Sequence, residues 1–171
     1  MTFEVRRIRA HEWREVKALR LRGLQDPVAQ IAFLDTYENA SARPDEFWET
    51  RSEQASVGGP NAQFVTVGEN GEWFGSATAV PNRSDERAAL VVGVYVAEGH
   101  RGAGAIEALF DECAAWAAEQ GYATLTLEVH VDNLRAQAAY ERCGFVRTGE
   151  ITELENGREY VMARPLVPSA R

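Results

Sequence analysis

Two rhythms of apolar residues alternate along this chain, one near a period of two and one near 3.6. Together they predict an ordered series of strands and helices. Phe3, Val5 and Arg7 share one side of a first strand over 3–9. Trp13, Val16 and Leu19, with Ala18 and Leu21 nearby, follow a helical spacing that ends near Gly23. After Asp26-Pro27, Val28, Ile31, Ala32 and Phe33 predict a short second helix. Pro44 marks a break, and Phe47 and Trp48 anchor a surface helix over 46–54 that Gly58-Gly59-Pro60 ends. Strands over 62–67 and 72–80 flank Glu69-Asn70-Gly71, and Asn-Gly favours a tight hairpin because both residues tolerate positive φ.

A polar loop from Pro81 to Arg87 leads into the second half. The strand over 88–97 contains Gly93, which predicts a bulge or a close backbone approach. From 102 to 119, Ile106, Leu109, Phe110, Cys113, Trp116 and Ala117 form a helical stripe. In the strand over 123–130, Leu125, Leu127 and Val129 alternate with Thr124, Thr126 and Glu128. A helix over 133–143 closes at Gly144, and strands over 145–152 and 158–163 meet around Asn156-Gly157. The order β-α-α-β-β-β-α-β-α-β-β predicts one domain over 1–164, with 165–171 as a loose tail. Its class is α/β with α+β character: a mixed, mostly antiparallel central sheet flanked by helices.

Composition narrows the functions this fold can serve. The 171 residues are enough for one well-formed core. A net charge of −8 speaks against a nucleic-acid partner and leans towards a cationic amine, although an acidic surface also serves solubility. No apolar run approaches the roughly 20 residues that span a bilayer. The segment Met1 to Arg7 has no apolar signal region, so a cytoplasmic location is expected. Cys113 and Cys143 read as buried thiols, and neither a metal-ligand spacing nor a nucleophilic Ser or Cys motif is present.

The candidate chemistry lies between Leu90 and Phe145. An apolar strand, Leu90 to Val96, runs into His100-Arg101-Gly102-Ala103-Gly104-Ala105 and then into a helix. Such a turn can hold a pyrophosphate on backbone N–H groups, because Gly102 and Gly104 permit conformations and approaches that a Cβ forbids. The next strand supplies the carboxylate of Glu128, and the helix after it supplies the phenol of Tyr140. These parts fit acyl transfer from a nucleotide-containing thioester to an amine.

Both blocks resemble the GCN5-related N-acetyltransferase (GNAT) superfamily. Arg101-Gly102-Ala103-Gly104-Ala105-Ile106 is similar to its Gln/Arg-x-x-Gly-x-Gly/Ala turn. Leu127-Glu128-Val129, followed by Asn133 through Gly144-Phe145, is similar to its Asn-x-x-Ala-x-x-x-Tyr-x-x-x-Gly-Phe block. The resemblance implies an acetyl-CoA-dependent N-acetyltransferase. Coenzyme A would lie on Arg101, Gly102, Ala103, Gly104, Ala105 and Ile106, along the strand edge of Val94, Tyr95 and Val96, and against Asn133, which is also a plausible helix N-cap. A backbone N–H near Val96 would meet the oxyanion. Tyr140 would contact the cofactor and protonate the departing thiolate. Ile106 departs from the family's usual Gly or Ala, and its branched side chain would crowd either the pyrophosphate or the neighbouring strand, with the cofactor still expected to bind. Arg135 and Arg142 would either reach the nucleotide phosphates or remain solvated.

The base has three candidates: Glu128, His130 on the same face, and water. Glu128 can instead be a structural or substrate-binding carboxylate. His11 and His100 read as surface residues. For the acceptor side, Phe33, Tyr37 and Glu38 are the substrate-binding candidates with Trp48, and Trp73 and Tyr160 are weaker. A small-molecule primary amine is the preferred acceptor and a peptide or protein amine the alternative. A coenzyme A-binding module without transfer is the reading of another class. Homodimers are common in the superfamily, and no residue here specifies one.

Overall fold

A computed structural model describes residues 2–27, 35–155 and 157–168. The expected second helix, including Phe33, lies outside the described residues. Seven strands form one sheet: β1 (Phe3–Arg7), β2 (Ala62–Gly68), β3 (Trp73–Pro81), β4 (Ala88–Val96), β5 (Thr124–His130), β6 (Val146–Leu154) and β7 (Gly157–Pro165). Their order is β1-β2-β3-β4-β5-β7-β6. The helices are α1 (Trp13–Leu24), α2 (Tyr37–Ser41), α3 (Asp45–Ala55), α4 (Ala105–Glu119) and α5 (Leu134–Arg142). Among the described residues no helix is long and apolar enough to cross a membrane.

Neighbouring strands pair antiparallel except β4 and β5, which are parallel because α4 returns the chain between them. That parallel ladder stops at Val91 opposite Leu127. Beyond it β4 stays with β3 as far as Val96 opposite Gly75, while β5 stays with β7 as far as His130 opposite Glu159. The two strands therefore separate towards their C-terminal ends and open a wedge in the middle of the sheet. The predicted bulge is part of this opening. Between Tyr95 opposite Ser76 and Val92 opposite Thr78, β4 carries one residue more than β3, and Gly93 takes a φ of 63°.

The sheet is packed on both faces, as the alternation along β2 records. Phe64 belongs to the core under α4 with Leu109, Phe110, Leu127 and Phe145. Val65 belongs to the core under α1 and α3 with Ile8, Leu19 and Trp48. Cys113 and Cys143 are buried and unpaired in the first core. Burial pushes both thiols up, Cys143 to about 11, so neither is a nucleophile at neutral pH.

Several boundaries differ from expectation for local reasons. The first strand stops at Arg7 and gives way to a 3-10 turn over Ala10–Glu12. Helix α1, by contrast, ends at Leu24, beside Gly23 as expected, and the ring of Tyr95 lies 3.2 Å from where a Cβ on Gly23 would be. The single-turn α2 is an additional helix, and Thr36 caps it by accepting the Asn39 N–H at 3.1 Å. Helix α4 begins at Ala105, later than expected, since Gly102 and Gly104 are left-handed at φ 82° and 87°.

Glu12 closes the 3-10 turn over β1. Its carboxylate takes both Arg6 nitrogens, at 2.9 and 2.6 Å, and the Arg9 N–H at 2.7 Å. Burial opposes the charge, but the Arg6 guanidinium and the Arg9 N–H outweigh it and hold the carboxyl below its ordinary range. A depressed carboxyl contributes stability above its unfolded value and loses it as the pH falls through its folded value. Glu12→Gln is thus expected to cost about 2 kcal/mol at neutral pH. In chemical denaturation the gap should close below about pH 4; a gap that persists there would mean that packing, not ionisation, carries the effect.

Candidate active site

The wedge between β4 and β5 holds a cavity of about 390 Å³. One wall is β4 from Leu90 to Val96, and the opposite wall is the end of β5 with α5. The start of α4 closes one end, and Glu159 of β7 lines the other side. Of the residues expected to hold a cofactor, Val94, Tyr95, Val96, Arg101, Gly102, Gly104, Ala105, Ile106, Asn133 and Tyr140 line this cavity, and Ala103 does not.

The glycine turn is left-handed at both glycines, and an added Cβ at either would meet nothing within 4 Å. The glycines are therefore required by backbone conformation and leave open space in front of the turn. Gly104 caps α4 without any side-chain hydrogen bond. The first N–H groups of the helix have no carbonyl one turn earlier in the helix, so they and the positive end of the helix dipole are presented to the cavity. Arg101 lines the cavity and is also engaged within the protein. Its Nε donates to the Val96 carbonyl at 2.9 Å and its Nη2 to Asp26 Oδ2 at 2.7 Å. The guanidinium ties the segment just after α1, β4 and the turn together, and Asp26 opposes its charge. Ile106 is half-buried and packs against the core as well as lining the cavity, so its branched side chain has apolar partners.

Helix α5 is fixed by three side chains. Asn133 is its N-cap, with Oδ1 accepting the Ala136 N–H at 3.2 Å. Gln137 is buried and donates to the carbonyls of His130 and Val131, while its Oε1 accepts from Arg147 at 2.8 Å. Sequence reasoning missed Gln137, which locks α5 to the end of β5 and so fixes Tyr140 relative to Glu128. The Tyr140 ring meets Phe110 edge-on at 5.4 Å. Burial, with smaller contributions from Cys143 and Glu159, pushes its phenol above the ordinary range against the pull of Arg135, so it stays protonated at neutral pH.

Leu127 and Val129 point into the core, and Glu128 lies on the opposite side, exposed to the cavity. His130 shares that side but is buried. Its Nδ1 accepts the Asp132 N–H at 3.1 Å, and its Nε2 lies 2.7 Å from where a Cβ on Gly157 would be. The imidazole is therefore seated against the start of β7 while it lines the cavity. Glu159 joins the two β5 residues from β7. Burial, the charge of Glu128 and a hydrogen bond with it push Glu159 up to about 7, against the pull of His130.

The acceptor-side candidates are distributed otherwise. Tyr37 and Glu38 lie on α2, outside the cavity lining, and Phe33 is outside the described residues. Trp48 and Trp73 are core residues, and Tyr160 lies 3.9 Å beneath the Arg147 guanidinium. Arg20 and Asp26 line the cavity in their place. Neither carried a sequence signal, because each reaches the site only through the packing of α1. His11 is exposed as expected, whereas His100 stacks on Phe74 at 4.1 Å and faces the cavity.

Residues 27–145 match the model of the Acetyltransferase (GNAT) family. Over 94 residues the chain is 36% identical to streptothricin acetyltransferase of Streptomyces lavendulae. That match spans 55% of this chain and 49% of the relative, about half its length. A GCN5-related N-acetyltransferase from Kribbella flavida shares the fold with a TM-score of 0.74 at 25% identity, over 96% of this chain and 98% of that one. A phosphinothricin acetyltransferase from Sinorhizobium meliloti, in complex with acetyl-CoA, gives a TM-score of 0.75 at 18% identity over 97% and 89% of the two chains, a likeness of fold. With a family match over more than half its length, joined to the glycine turn and the parted strands, the chain belongs to the acetyltransferase (GNAT) family.

Proposed function

We propose that this chain transfers an acetyl group from acetyl-CoA to a primary amine of a small cationic molecule. One observation carries the reading: a single cavity joins the helix N-terminus behind Gly104 to the Tyr140 phenol and to the carboxyls of Glu128 and Glu159. The residues present fit the coenzyme. The backbone of 102–106 would take the pyrophosphate, the edge of β4 beyond Val91 has lost its β5 partner and would take the pantetheine amides, and Asn133 would flank the arm. Bound there, acetyl-CoA supplies an electrophilic thioester carbonyl and a thiol leaving group.

The chain's own groups handle the protons. A Glu128 carboxylate oxygen takes a proton from the incoming ammonium, and Tyr140 Oη gives one to the departing sulfur. The backbone of the bulged stretch 93–96 is placed to offer an N–H to developing negative charge. The carboxyls at the cavity favour a cationic acceptor, and the similarity to a streptothricin acetyltransferase supports a small-molecule one.

Calorimetric titration with acetyl-CoA tests the site, with AMP as the control lacking the pantetheine arm. Wild-type protein should bind at micromolar concentration and require the arm. Gly104→Val forces a branched residue into a left-handed conformation, which costs about 1–2 kcal/mol, and puts carbon into the open space before the turn. We expect it to weaken binding by about tenfold or more. A panel of small amines and short peptides, followed by thiol release, then reads the acceptor. Absence of acetyl-CoA binding by the wild-type protein would overturn the reading.

A further inference from the structure

Glu159 was not singled out by any sequence pattern, yet the hairpin places it at the reacting end of the cavity. On β7 it stands opposite His130, which makes it the diagonal neighbour of Glu128 on the same face. Glu128, Glu159 and Tyr140 all line the cavity. The groups facing Glu159 are Glu128 and His130 from β5 and Tyr140 from α5. Asp132 lies beyond His130, 3.8 Å from its Nδ1. On β6 the residue opposite Glu159 is the neutral Thr152. Arg147 is turned to Gln137 and to the Tyr160 ring. From α5, Arg135 also lines the cavity and acts on Tyr140. Two carboxyls in hydrogen-bonding reach resist double ionisation and share a proton.

We infer that the proton acceptor for the substrate ammonium is the Glu128–Glu159 pair acting as one unit, with Glu128 meeting the amine and Glu159 holding the shared proton. The inference rests on the transferase reading above. A lone carboxylate titrates near 4.3, about, and grips a proton weakly at neutral pH. A pair whose last proton leaves close to neutrality is a stronger acceptor, and its dianion attracts the cation that it deprotonates. The protons balance. An ammonium loses two on becoming an amide. The first passes to the dianionic pair and on to solvent as the nitrogen lone pair forms the C–N bond. The C–S electron pair leaves with sulfur, which takes the Tyr140 proton, and the second nitrogen proton restores the phenol.

Two readouts on Glu159→Gln and Glu128→Gln test this. The first is infrared spectroscopy near pH 6.5 without substrate. Wild-type protein should show the C=O stretch of a protonated carboxyl, and both variants should lose it. The second is the pH profile of kcat/KM on the best amine of the panel. Glu159→Gln should move the acid limb down by about 2 units and lower the plateau about tenfold. Glu128→Gln should lower the plateau by about 10²-fold, and the double variant should be no worse, as for groups that act as a unit. Unchanged acetyl-CoA affinity in Glu159→Gln shows that the variant is folded. An acid limb unmoved in Glu159→Gln, or a carboxyl band that survives it, would overturn the paired base and leave the transferase reading standing. A wild-type protein that shows the band but acetylates no amine would overturn the transferase reading, and the base assignment with it.

Discussion

Tyr140→Phe is expected to lower kcat by about 10²-fold or more while leaving acetyl-CoA affinity nearly unchanged. The substitution removes one oxygen and keeps the ring that packs edge-on against Phe110. Burial holds the phenol above its ordinary range, so across neutral pH it carries the proton that a departing thiolate needs. The sign matters for the pH profile. Because the phenol is raised, its deprotonation cannot produce an activity loss below about pH 10, and the deficit of the variant should stay constant from neutral pH up to that point. A thioester with a more acidic thiol should narrow the deficit, since a better leaving group depends less on the acid. Steady-state thiol release with both thioesters measures this. Equal turnover by variant and wild type would remove Tyr140 from the mechanism and leave it a packing residue.

What was legible in the sequence was mostly local. The strand–turn–helix around Gly102 and Gly104 could be read because left-handed glycines and a helix start lie within a few residues of each other. The Asn133 cap and the Gly93 bulge were local in the same way. Long-range register was not legible. Nothing in Arg158-Glu159-Tyr160 announces a functional carboxyl until β7 is laid against β5 and Glu159 falls diagonal to Glu128. The Arg101–Asp26 pair spans 75 positions and depends on how the segment after α1 packs, so nothing local to the turn announced it. Tyr37 and Glu38 are candidates because the first helices are expected to build the acceptor side, and the fold sets them on α2 outside the cavity lining. Gly23 has two uses, and only one was local: α1 ends one residue beyond it, and its missing side chain leaves room for the Tyr95 ring.

Phe110 belongs to the core and also packs against Tyr140, the proposed acid, and Phe110→Ala is expected to show both roles. Phe110 is fully buried on α4, edge-on to Tyr140 and 5.1 Å from Phe145. Deleting a buried phenyl ring costs about 3–5 kcal/mol, because its neighbours collapse only in part into the space. For a domain of this size that lowers Tm by roughly 6–20 °C. The same space opens beside the Tyr140 ring, whose phenol must hold a fixed position relative to the leaving sulfur, and misplacement of a catalytic group is costly in rate. The variant should therefore lose kcat even at temperatures where denaturant titration shows it fully folded. Phe110→Leu refills much of the volume and should recover most of both losses. If folded Phe110→Ala kept wild-type kcat, the orientation of Tyr140 would be set by α5 alone, through the Asn133 cap and the Gln137 hydrogen bonds to the end of β5. The residues to alter next would then be those two, because they hold the helix rather than the ring.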